Sequence, residues 1–141
     1  MFLVLGILVF NGRLYAYDPE LVGKYDMEIK IGDRIFHDIL HITSSTENSH
    51  NNQVGSFIGT LEVPGVFTAE LEKATYQIAL QTGTVYIQFE ILAQENGKEF
   101  RVKYSAAKNK ISNVDRITGK AMLENYEFLG TFTAIKIKEE N

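Results

Sequence analysis

The stretch Lys24-Tyr25-Asp26-Met27-Glu28-Ile29-Lys30-Ile31 sets an apolar side chain at every second position and a charged one between. Side chains of an extended strand point alternately to its two faces, so this order makes a ribbon with one oily side and one wet side. A helix would scatter the same residues round its circumference. Gly32-Asp33 follows as a turn, because Gly tolerates positive φ and Asp bonds its own backbone.

The same reading extends outward. Ile35 to Thr43 is rich in β-branched residues, with Phe36, Leu40 and Ile42 on one face and Ile35 and Ile39 on the other. Ser44 to Gln53 holds no apolar residue and reads as a mobile surface loop. Phe57, Gly59, Leu61 and Val63 alternate up to Pro64-Gly65, Phe67, Ala69 and Leu71 continue in a short strand, and Thr75 to Leu80 forms another. Val85, Ile87, Phe89 and Ile91 alternate with Tyr86, Gln88 and Glu90; Asn96-Gly97 is the signature of a type I′ hairpin turn, and Phe100, Val102, Tyr104 and Ala106 return. Lys108 to Arg116 reads as a polar connection. Ile117, Gly119, Ala121 and Leu123 then form a strand, Asn125-Tyr126 turns, and Phe128 to Ile137 closes the chain.

Eight or nine short strands, with no helical period, repeat or linker, predict an all-β fold: an antiparallel up-and-down barrel of about eight strands. Closure is expected because an open sheet leaves edges that invite aggregation.

Bulk properties agree with one such domain. The chain has 141 residues, 45% of them apolar, with nine Phe and seven Tyr, which suffices for one core and hardly for two. Its 14 basic and 18 acidic residues give a net charge of -4, and the basic ones are scattered, so nucleic acid is repelled. With no Cys, disulfides, thiolate nucleophiles and zinc-thiolate sites are excluded. Phe2 to Phe10 is an unbroken apolar run, too short for a transmembrane helix but suited to a secretory signal cut after Ala16. Residues 1–16 are therefore expected to be a signal peptide and 17–141 the β-barrel domain, exported to the periplasm or secreted. The processed chain would lose Arg13 and carry about -5.

Val22-Gly23-Lys24-Tyr25 opening the first strand, hairpin succession through eight strands, and Gly130-Thr131-Phe132-Thr133-Ala134 in the last resemble the lipocalin-like, or calycin, barrels, which include avidin-like proteins. In that family a Gly-x-Trp element opens the first strand and its Trp plugs the closed end, with an Arg packed over it. Tyr25 stands where the Trp would be, and Lys136 is the nearest substitute for the Arg. The resemblance implies an interior that holds a small, mostly apolar molecule, with loops at the open mouth.

The residues offer few catalytic arrangements. His37-Asp38-Ile39-Leu40-His41 resembles a zinc-protease motif with Asp for Glu, but in a strand the two imidazoles stand about 13 Å apart, too far for one ion. Gly55-Ser56-Phe57-Ile58-Gly59 has the wrong spacing for a nucleophile elbow, and its glycines read as relief of crowding. Asp26 with Glu28 and Glu70 with Glu72 share strand faces about 7 Å apart, as solvated carboxylates commonly do. Glu90 is expected on the outer face.

Tyr25, Phe57, Phe89, Phe100, Tyr104 and Phe132 all fall on expected inward faces and are the candidate ligand-binding residues. No metal or cofactor is expected. The leading expectation is a non-catalytic barrel binding a small apolar or amphipathic ligand. The alternative is a protein-binding module, such as an inhibitor of a secreted hydrolase, acting through the loop 43–53. A small barrel enzyme is the third.

Overall fold

The computed structural model describes residues 18–125 and 127–138. The signal peptide expected over residues 1–16 lies outside them, as does Tyr126 of the expected turn. In chain order the strands are β1 (Gly23–Ile31), β2 (Arg34–Glu47), β3 (Val54–Val63), β4 (Phe67–Glu70), β5 (Glu72–Ala79), β6 (Thr84–Glu95), β7 (Lys98–Ile111), β8 (Val114–Leu123) and β9 (Phe128–Lys136). In β1 the alternation is realised directly, with Tyr25, Met27 and Ile29 buried and Lys24, Asp26, Glu28 and Lys30 exposed.

All nine strands belong to one antiparallel sheet. Its hydrogen bonds run from β1 through β2, β3, β5, β6, β7, β8 and β9 and back to β1, a ring of eight strands. The ring is not a regular barrel. β6 and β7 share eleven paired residues, whereas β3 and β5 share three, Val54 to Ser56 against Gln77 to Thr75. β4 stands beside the ring, paired to the far half of β3.

Antiparallel succession assigns the connections to two ends. The β1–β2, β3–β4, β6–β7 and β8–β9 connections lie at one end, called the mouth below. Residues 18–22, which precede β1, lie at the other end with the β2–β3, β5–β6 and β7–β8 connections. Between them the interior is packed with side chains. Phe57 meets Phe89 edge-on at 6.2 Å, Phe89 stacks on Tyr104 at 4.6 Å, and Tyr104 meets Phe132 edge-on at 5.7 Å. These are favourable geometries for aromatic quadrupoles.

Two connections are shorter than the sequence predicts. Ser44 to Glu47 belong to β2, pairing with Ile58 to Gly55 beyond a bulge between Ile42 and Ser44. Polar residues fit there because the hairpin exposes most of these side chains, leaving only 48–53 as the loop. That loop is bent by Asn48 and Asn51, whose side-chain oxygens accept from the backbone N–H groups of His50 and Gln53 at 2.8 and 3.0 Å. The polar connection expected over Lys108 to Arg116 is instead two strand ends joined at Ser112-Asn113, whose φ values of 52° and 62° make a primed-type turn. The alternation is hidden there because two inward positions are filled by Lys108 and Asp115, both buried. Asn96 and Gly97, at φ 52° and 78°, form the expected hairpin turn.

The crowding expected at the β3 glycines is present. A Cβ at Gly59 would run into the His41 carbonyl oxygen and stand 2.9 Å from Ile42 Cα, both backbone atoms that cannot swing aside. Gly59→Ala is expected to cost about 2 kcal/mol, seen as a lower urea midpoint at unchanged slope; an unmoved midpoint refutes the close packing.

Candidate functional site

At the mouth, the inward alternation continues past the packed middle. Ile31 follows Ile29 on β1, Leu123 follows Ala121 on β8, Phe100 precedes Val102 on β7, and Leu129, second in β9, is the residue left over at the β8–β9 register shift. No further layer covers them, so they are half-buried and line an open concavity of about 630 Å³. Glu95, Arg101, Glu124 and Asn125 complete its lining. The Arg101 guanidinium is held by Glu72 at 2.9 Å and lies 3.7 Å from Glu90. The volume falls within the usual range of small-molecule sites, roughly 300 to 1,000 Å³.

The six candidate binding residues divide among three places. Phe100 lines the mouth cavity. Phe57, Phe89, Tyr104 and Phe132 form the chain of ring contacts in the interior. Tyr25 lies at the opposite end. Ile31, Leu123 and Leu129 were not singled out by sequence, because selecting aromatics ignores how far along the axis an inward residue sits.

The closed end is built on Tyr25, which is completely buried and donates its hydroxyl proton to the Leu21 carbonyl at 2.8 Å. Burial pushes the phenol well above its ordinary value, and the charges of Asp115 and Glu20 add to this. Lys136 Nζ sits 5.7 Å from the Tyr25 ring centroid and 3.1 Å from Asp115 Oδ2, a cation over an aromatic face that is also paired to a carboxylate. Lys108 Nζ donates to the carbonyls of Pro19 and Glu20 at 2.6 and 3.1 Å and lies 3.6 Å from Asp115. Residues 18–22 are thereby strapped across the end. Burial lowers the Lys108 ammonium, with Asp115 opposing. For Asp115, burial alone would raise the carboxyl, but the Lys136 hydrogen bond and the charges of Lys108 and Lys110 outweigh it and hold the group below its ordinary value.

Sequence reading weighed Asp38 only as the acid of a metal motif and missed its burial. It lies on the inward face of β2 among Phe36, Leu40 and Ile42, it is 5% exposed, and its Oδ1 has no hydrogen-bond partner among the described residues. Burial raises its carboxyl to about 6, with the His37 charge opposing. β7 lies opposite β2 in the ring, and the Asp38 charge raises the Tyr104 phenol, after burial, the larger cause. The signal was available: a carboxylate at period two within an oily face.

The other polar candidates are dispersed. His37 and His41 pair with Glu28 and Lys24 of β1 as strand residues. No group of three or more metal-ligating side chains occurs among the described residues. Asp26 and Glu28 are exposed, Glu72 is engaged by Arg101, and Glu90 lies on the outer face, 3.9 Å from Lys73. Comparison of the chain with family models, curated proteins and solved structures gives no match.

Proposed function

We propose that this is a lipocalin-like protein that holds a small apolar or amphipathic molecule at its mouth and catalyses nothing. The observation that carries the reading is the apolar cavity at the mouth, where Ile31, Phe100, Leu123 and Leu129 lie open above a packed interior. Water against these side chains is displaced favourably by any lipophile of matching size. Arg101, Glu95 and Glu124 stand at the same cavity to meet a polar group left outside. The family reading draws support from the far end, where Lys136 lies over the ring of the buried Tyr25, an arrangement similar to the family's Arg packed over its plugging Trp.

Native mass spectrometry with a panel of fatty acids, sterols and aromatic lipophiles is expected to show one molecule bound per chain. Leu123→Glu, which puts a charge into the oily lining, should weaken that binding at least tenfold, on the order of 1.4 kcal/mol or more. Absence of any lipophile adduct, or adducts indifferent to the substitution, overturns the reading.

A further inference from the structure

A second concavity lies on the outer wall of the sheet and is unlike the mouth in chemistry. It measures about 460 Å³ and crosses β2, β3, β5 and β6 near the closed end. Strand register lines up Thr46 with Ser56, Ser56 with Thr75, and Thr75 with Gln88, a continuous row of uncharged hydrogen-bonding side chains. At about 4.8 Å per strand the row is roughly 14 Å long. A parallel row sets Gln77 beside Tyr86, a residue 53% exposed. Asn48 adds an amide at one end and Glu47 the one carboxylate, and no Lys or Arg is among the lining residues.

We infer that this groove is a binding site for a neutral oligosaccharide. Hydroxyl and amide side chains donate and accept at once, as the hydroxyls of a sugar require. An exposed tyrosine ring supplies a flat apolar platform for the C–H face of a pyranose and a polar tip at its edge. The absence of cations from the lining argues against a phosphate or carboxylate ligand. The wall chemistry argues against a purely apolar one. An extended peptide would bind by adding a strand to a free edge, but Gly55 and Ser56 are already paired on both sides, to β2 and to β5, and β5 is paired to β6. Recognition there rests on side chains.

The site is independent of the mouth, and the test keeps the two apart. Titration calorimetry and saturation-transfer NMR would use cello-, chito-, xylo- and malto-oligosaccharides of two to four sugars. At least one series is expected to bind, with saturation passing from aromatic ring protons, Tyr86 among them, to the sugar C–H protons. Tyr86→Ala should weaken it tenfold or more, as should the pair Gln77→Ala with Gln88→Ala, while Leu123→Glu at the mouth leaves it unchanged. These are exposed positions, and an unaltered circular-dichroism melt checks the fold of each variant. Failure of every series to bind, persistence of binding in Tyr86→Ala, or its loss in Leu123→Glu instead overturns the inference.

Discussion

Asp38→Asn is expected to stabilise the protein by up to about 3 kcal/mol at pH 8 and to change almost nothing at pH 4. Burial lifts the Asp38 carboxyl from 3.8 to about 6. The folded protein therefore holds this proton more tightly than the unfolded chain, by roughly 1.4 kcal/mol for each tenfold change in affinity. The sign follows directly. Below pH 3.8 both states are protonated and the group is neutral in its effect; between 3.8 and about 6 stability falls as pH rises; above 6 the full penalty is present. Asn keeps the shape without the charge, so it removes that penalty, and the thermal midpoint at pH 8 should rise on the order of 10 °C. Denaturant titrations of both proteins at pH 4 and pH 8 check this. A difference between them that does not grow with pH would show that Asp38 is solvated or paired.

The opposite outcome is expected at Asp115. Asp115→Ala leaves Lys108 buried without its carboxylate and Lys136 without its 3.1 Å partner, with Lys110 adding a like charge nearby. Breaking a buried pair from one side typically costs about 3 to 5 kcal/mol. Because the folded-state carboxyl is held below its ordinary 3.8, its stabilisation is complete above that pH and is lost as pH falls through the lower folded-state value. The penalty of Asp115→Ala should thus be largest at neutral pH and shrink in acid, whereas the gain from Asp38→Asn shrinks in acid for the converse reason. Melts of the two variants across pH 3 to 8 should diverge as pH rises. Parallel curves would remove the closed-end ion cluster as a source of stability.

The strands with clean alternation were legible in the sequence. β1 and the β6–β7 hairpin carry strict period-two order and an Asn-Gly turn, and the ladder follows them residue by residue. Legibility failed where polar residues enter the interior. Lys108 and Asp115 face inward, so the ends of β7 and β8 looked like a loop, and Ser112-Asn113 lacks the glycine that usually marks such a turn. The bulge after Ile42 concealed the continuation of β2 in the same way. At the site, the aromatic residues were visible as inward, but their depth was not. Depth depends on the stagger between strands, which is why Phe100 reaches the mouth while Tyr25 seals the opposite end. The saccharide groove joins residues from four strands and has no linear signature.

The three-pair contact between β3 and β5 gives the cylinder a preferred line of rupture. Elsewhere the wall is stitched by ladders of six to eleven pairs, at least twice as long, so uncurling begins at this seam and turns a closed surface into a sheet with two bare margins. A margin of unsatisfied N–H and C=O groups recruits other chains. The few hydrogen bonds along Val54 to Ser56 therefore guard solubility as well as shape.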